Sequence, residues 1–233
     1  MRRGFSATMV VAGAVLAACA VQVPRPPESK DQQPAGFPDA FYQSSAQSGR
    51  VVFAIDPARS LLVIEVRRGG SLAQLGHDHV IASHNVRGYV APNERRADLF
   101  IRLDELVVDE PELRAQAAFD TQPTEAAIAG TRNNMLANLQ ASEHPYAVIA
   151  VAGVQTDAAG TSLQATIALR GVTRAARIPV QIEQSSEQLT VMGRMSLQQS
   201  NFGIVPLSIL GGALVVQDRV DVRFQIHARR APS

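Results

Sequence analysis

Residues 218–228 read DRVDVRFQIHA, and this stretch decides the fold class. Val220, Val222, Phe224 and Ile226 alternate with Arg219, Asp221, Arg223, Gln225 and His227. Successive side chains of a strand point to opposite faces, so a strict period of two describes a strand with one dry face and one wet one. The same period recurs upstream. SLQATIALRG (162–171) puts Leu163, Ala165, Ile167 and Leu169 on one face. RIPVQIEQ (177–184) alternates through Ile178, Val180 and Ile182, and QLTVMGRMSLQ (188–198) through Leu189, Val191, Gly193, Met195 and Leu197. ADLFIRL (97–103) alternates as well, and LLVIEVRR (61–68) is a strand-forming aliphatic run. Pro179, which has no amide hydrogen to donate, marks an edge or a bulge.

One region breaks the period. PTEAAIAGTRNNMLANL (123–139) holds good helix formers, with Ile128, Met135, Leu136 and Leu139 near one helical face. Pro123 suits the first turn, and Gly130 is expected to weaken or break the helix. ELRAQAA (112–118) reads as another short helical turn. The expectation is an all-β antiparallel fold with a short helical insertion around 112–140. About eight or more strands in one domain must close into a barrel or pair as a sandwich, and a closed barrel of that size can hold one small ligand.

The 233-residue chain is 46% hydrophobic, enough for a sizeable core, and its formal net charge of +1 gives no field that favours nucleic acid. Its one cysteine, Cys19, excludes an internal disulfide. Arg2 and Arg3, an apolar run from Met9 to Val15 and the small residues of LAAC (16–19) have the form of a secretory signal. LAAC also resembles the lipobox of bacterial lipoproteins. That resemblance implies cleavage before Cys19, diacylglycerol on its thiol and acylation of the new N-terminus. With Ala20 next, it implies the outer membrane facing the periplasm. Residues 20–49 are rich in Pro, Gln, Ser and Ala and read as a tether. The expected organisation is a signal peptide over 1–18, an acylated cysteine and flexible tether over 19–49, and a barrel domain over 50–229.

HPYAVIAVAGV (144–154), ATIALRGVTRAARIPV (165–180), QQSNFGI (198–204) and DRVDVRFQI (218–226) together resemble the YceI-like family in order and spacing, across roughly residues 51–228. Gln199 departs from the family's frequent arginine before the Ser-Asp/Asn-Phe-Gly segment, and PLSILGGALVVQ (206–217) is unusually apolar. The resemblance implies a lipocalin-like antiparallel barrel of about eight strands. Its lumen would take a polyisoprenoid, a quinone-like lipid or another hydrophobic chain, with no catalytic role. The expected wall residues are Ile64, Val66, Phe100, Ile149, Ile167 and Leu169, then Ile178, Val180, Val191, Met195, Phe202 and Phe224. The expected partners are that small molecule, the membrane through Cys19 and, where the chain self-associates, a second copy in a homodimer; nucleic acid is not expected.

LGHDHVIASH (75–84) carries three of the five histidines. His77 and His79 share a strand face, Asp78 takes the other, and His84 returns to them only through a turn or bulge. Three readings stand: a polar rim at the barrel mouth, a contact for a ligand headgroup, or a metal or haem site using His77, His79 and His84. The acidic group Glu105, Asp109, Glu110 and Glu112 reads as a solvated loop.

Overall fold

The computed structural model describes residues 32–232. Twelve strands follow in chain order: β1 (Phe53–Ile55), β2 (Leu61–Gly69), β3 (His79–Ser83), β4 (Arg87–Ala91), β5 (Arg96–Arg102), β6 (Val107–Val108), β7 (Tyr146–Asp157), β8 (Gly160–Leu169), β9 (Val172–Gln184), β10 (Gln188–Gln198), β11 (Ser208–Ile209) and β12 (Leu214–Arg230). Three helices accompany them: α1 (Asp39–Gln47), α2 (Pro111–Gln116) and α3 (Glu125–Asn138). Every strand pairing is antiparallel.

The eight strands β1, β4, β5, β7, β8, β9, β10 and β12 pair in that order, and β12 pairs back to β1, which closes a barrel. Closure removes the edges that an open sheet of this size would expose. β12 is long enough to serve four neighbours, β11 among them at Leu214–Val215. It meets β10 along one side, and on the other it meets β2 over Val215–Gln225 and then β1 at Ala228–Arg230. β3 and β6 extend the sheet beyond β2.

Pro179 sits where β9 and β10 part. Their ladder runs from Leu189 opposite Gln184 to Gly193 opposite Val180, and the first half of β9 pairs only with β8. The segment after β10 fills the cleft: Phe202 and Ile204 bury themselves with Ile167 against Val172, Ala176, Met195 and Leu197. At Gly193 a Cβ would meet the Phe224 ring and lie 2.8 Å from the Pro179 carbonyl, so the missing side chain leaves room for Phe224 to lean across the strand.

The helical insertion lies where the sequence places it. Thr124 caps α3 by accepting a hydrogen bond from the Ala127 amide (3.2 Å). Ile128, Met135, Leu136 and Leu139 all pack on the central apolar cluster. The helix passes through Gly130 without a break, because this position faces open space and tertiary packing on either side outweighs its modest propensity cost. The tether ends earlier than composition suggests. α1 lies within 19–49 but docks on the barrel, with Tyr42 and Ala46 buried against Val52 and Ala91. Tyr42 donates to Asp98 Oδ2 (2.6 Å), and Arg96 binds the same oxygen (2.7 Å) while lying over the Phe41 ring. Two aromatics and one long-range hydrogen bond order a segment whose polar composition alone would not. Cys19 and the signal-like segment lie outside the described residues.

Candidate functional site

The barrel interior is apolar. Ile64, Val66, Ile149, Leu169, Val191 and Phe224 join the central cluster around Phe53, Ile81, Ile101 and Ile226. Ile178 and Val180 belong to a second cluster, which Ile149, Val191, Met195 and Phe224 also touch. Ile167 and Phe202 form a third with Ile204, again against Ile149, Leu169 and Met195. Eleven of the expected wall residues therefore belong to three apolar clusters joined through Ile149. Ile64, Val66, Ile149, Leu169, Val191, Met195 and Phe224 are only half-buried there, as is Leu99, which the sequence reading omitted. A close-packed core would bury such side chains completely.

Phe100 is the exception. Ala97 and Ile101 point inward with Leu99, so parity sends Phe100 out with Asp98 and Arg102. Its ring is covered on the outer surface by Phe37 (centroids 4.9 Å apart) and Tyr146 (5.8 Å). It is buried, but against the N-terminal segment rather than the lumen.

The interior ends at a polar corner. His79 opens β3 opposite Val66, on the same strand face as Ile81. Its Nδ1 lies 2.6 Å from Asp109 Oδ2. The Asp109 side chain has 0% exposure; its other oxygen accepts from the Val80 amide (3.0 Å) and Arg114 (2.6 Å). Burial alone would raise the Asp109 carboxyl. The hydrogen bond and charge of His79 and the hydrogen bond of Arg114 outweigh it, and the group sits below the usual carboxylate range. Arg114 also binds the Asp78 carbonyl (2.5 Å) and the Thr121 carbonyl. Asp78 turns away from the histidines and accepts from the Arg68 amide (2.8 Å).

The Asp109 contact fixes the orientation of the His79 ring. With Nδ1 turned to Asp109, Nε2 points to Thr131 Oγ1 at 3.5 Å, the limit of a hydrogen bond. The His77 ring stands 6.3 Å from that of His79, and its Nδ1 is buried without a hydrogen-bond partner.

His84 does not join them. It is half exposed beyond the end of β3 and pairs with Glu110 (2.7 Å). His144 packs against Gly171, and His227 bonds Thr190 (3.1 Å) and Gln225 (3.0 Å). Among the described residues no group of three or more His, Cys, Asp or Glu side chains is placed to hold a metal ion, and His84 stands apart from His77 and His79. Sequence reading also missed Asp109 and Arg114. Asp109 looked like one of four solvated acids, and only the pairing of β3 with β6 shows that it is the buried one.

The profile of the YceI-like domain matches residues 53–228. Among solved structures, a polyisoprenoid binding domain from Saccharophagus degradans, implicated in plant cell wall breakdown, is 14% identical, covers 78% of this chain and 100% of its own, and superposes with a TM-score of 0.56. BcnA of Burkholderia cenocepacia is 14% identical over 74% of this chain and 98% of its own (TM-score 0.47). A YCEI protein of Campylobacter jejuni is 11% identical over 58% and 72% (TM-score 0.39). No curated protein matches the chain.

Proposed function

This chain belongs to the YceI-like domain family, and from that premise we propose that it binds a long hydrophobic molecule, a polyisoprenoid or similar lipid, inside the barrel. The observation that carries the reading is the half-buried file of inward apolar side chains from Val66 and Ile64 through Phe224, Val191 and Ile149 to Leu169. Such a wall recognises a chain by burying it, at about 0.8 kcal/mol per methylene, with little polar discrimination. His79 and His77 at the corner receive the ligand's polar end. Binding, not catalysis, is the activity this supports. Sequestration or carriage in the cell envelope follows from the signal-like start and Cys19, taken as a lipidated N-terminus.

Native mass spectrometry of the protein exported to a bacterial periplasm and purified without chelator tests this. The expected result is an added mass of several hundred daltons that organic solvent removes. A single metal ion lost to EDTA, or a bare chain mass after incubation with polyisoprenoid, would overturn it. The N-terminal peptide tests the anchor: it should begin at an acylated Cys19, and an unmodified cysteine or an uncleaved leader would remove that part of the proposal.

A further inference from the structure

The segment between β10 and β12, residues 199–217, contains no charged residue. It exposes large apolar side chains: Val205 is 78% exposed, Leu210 65%, and Leu207 and Ile209 44% each. Ile209 and Leu210 lie at the tip of a small hairpin, in which Ser208 pairs with Val215 and Ile209 with Leu214. Leu210 turns the chain at φ +52° and Gly211 follows at +66°. Paired left-handed positions of this kind favour Asn-Gly, and a bulky side chain is disfavoured there. Leu210 is thus held against both its backbone preference and its hydrophobicity.

The tip has a firm root. Phe202 and Ile204 are buried, Asp218 accepts from the amide (2.7 Å) and hydroxyl (2.5 Å) of Ser200, and the Val216 amide donates to the Leu207 carbonyl (2.8 Å). The β2–β3 loop braces it through a hydrogen bond from Leu72 N to Ala213 O (2.8 Å), and that loop adds another exposed leucine, Leu75, at 64%. The same loop leads into His77 and His79. The projecting apolar surface therefore stands at the histidine end of the barrel.

Charge selects the occupant. Arg170 binds the Gly203 carbonyl at the root, and Arg174 lies on the adjoining strand β9; neither has a carboxylate partner among the described residues. Arg68, beside the bracing loop, is neutralised by Asp120 (2.6 Å) and Asp78 (3.8 Å). Asp218 and Asp221, on the strand that continues from the hairpin, are engaged by Ser200 and by Arg219 with Ser196. An uncharged apolar tip with two arginines free of carboxylates at its root fits a phospholipid surface, where apolar side chains enter the acyl boundary and arginines meet phosphates. A second copy would bring like charges together around two projecting tips.

We propose that the hairpin tip, with Leu75 and Val205, is a membrane-insertion element that seats the histidine end of the barrel on a phospholipid bilayer. This contact is separate from the anchor at Cys19 and stands whether or not the barrel holds a lipid.

The chain has no tryptophan, so Leu210→Trp provides a fluorophore at the tip without background. The experiment uses the full chain with Cys19→Ser, mixed with vesicles of phosphatidylcholine alone or with phosphatidylglycerol. The expected result is a blue shift of the emission and quenching by brominated acyl chains, abolished when Ile209→Asp is added. Ala159→Trp, in the hairpin at the other end of β8, should not shift. Emission that stays at its aqueous position when the protein has sedimented with vesicles overturns the proposal. A shift that needs no vesicles and grows with protein concentration also overturns it, and assigns the tip to a second copy.

Discussion

Asp109 shows how one residue's role can be invisible in its neighbourhood. In VVDEPEL it is one acid among several, yet in the fold its carboxylate is the shared partner of His79, Arg114 and the Val80 amide. Its neighbours stay half solvated. The difference comes from the β3–β6 pairing, which sets Asp109 beside Val80, 29 residues away in the chain, and which no local pattern encodes. Asp109→Asn should cost about 3 kcal/mol or more, since it leaves a buried guanidinium without its countercharge. Thermal unfolding should fall by roughly 10 °C for a domain of this size. The same carboxylate sets an acid limit. Its folded value lies below its unfolded one, so its contribution is fully present above about pH 4 and is lost as pH falls through the lower folded value. Denaturant midpoints measured from pH 6 down to pH 2 should drop below pH 4 in the wild type. They should drop much less in Asp109→Asn.

At the scale of elements, most strands were legible because alternation is a local property. β10 spans 188–198 as its period indicates, and β12 contains all of 218–228. The Pro179 signal was also sound, since the ladder between β9 and β10 stops beside it. α1 was not legible, because what orders it lies elsewhere in the chain: Tyr42 is buried by Val52 and Ala91 and held by Asp98. Burial first, and then the Asp98 hydrogen bond and charge, push the Tyr42 phenol up from its ordinary value. Docking strength is therefore fully present below about pH 10, the unfolded phenol value, and declines as pH rises above it. Tyr42→Phe removes a hydrogen bond to a carboxylate that Arg96 still holds, at a cost of about 1–3 kcal/mol. Limited trypsin digestion should then cut after Arg50 several-fold faster, with the barrel fragment persisting. An unchanged cleavage rate would show that the aromatic packing alone holds the helix.

At the scale of the whole molecule, closure decides which face of each strand becomes the lumen, and alternation alone does not. ADLFIRL carries apolar residues on both parities, Ala97, Leu99 and Ile101 on one and Phe100 on the other. Size favours Phe100 as a wall residue; the pairing of β5 with β4 and β7 favours Leu99, and α1's leader then covers the phenyl ring that remains outside. The distinction is testable through the ligand. Ile149 touches all three interior clusters and is half-buried. Ile149→Trp fills lumen space near its middle and should lower retained lipid at least tenfold, a loss of about 1.4 kcal/mol or more. Circular dichroism should keep its β signature. Phe100→Leu alters an outer contact and should leave lipid content unchanged while loosening the N-terminal segment. Extraction and mass spectrometry of both variants give opposite answers for a lumen ligand. Equal lipid loss in both would mean that the bound molecule lies on the outer surface, and the barrel interior would then be a core with no cargo.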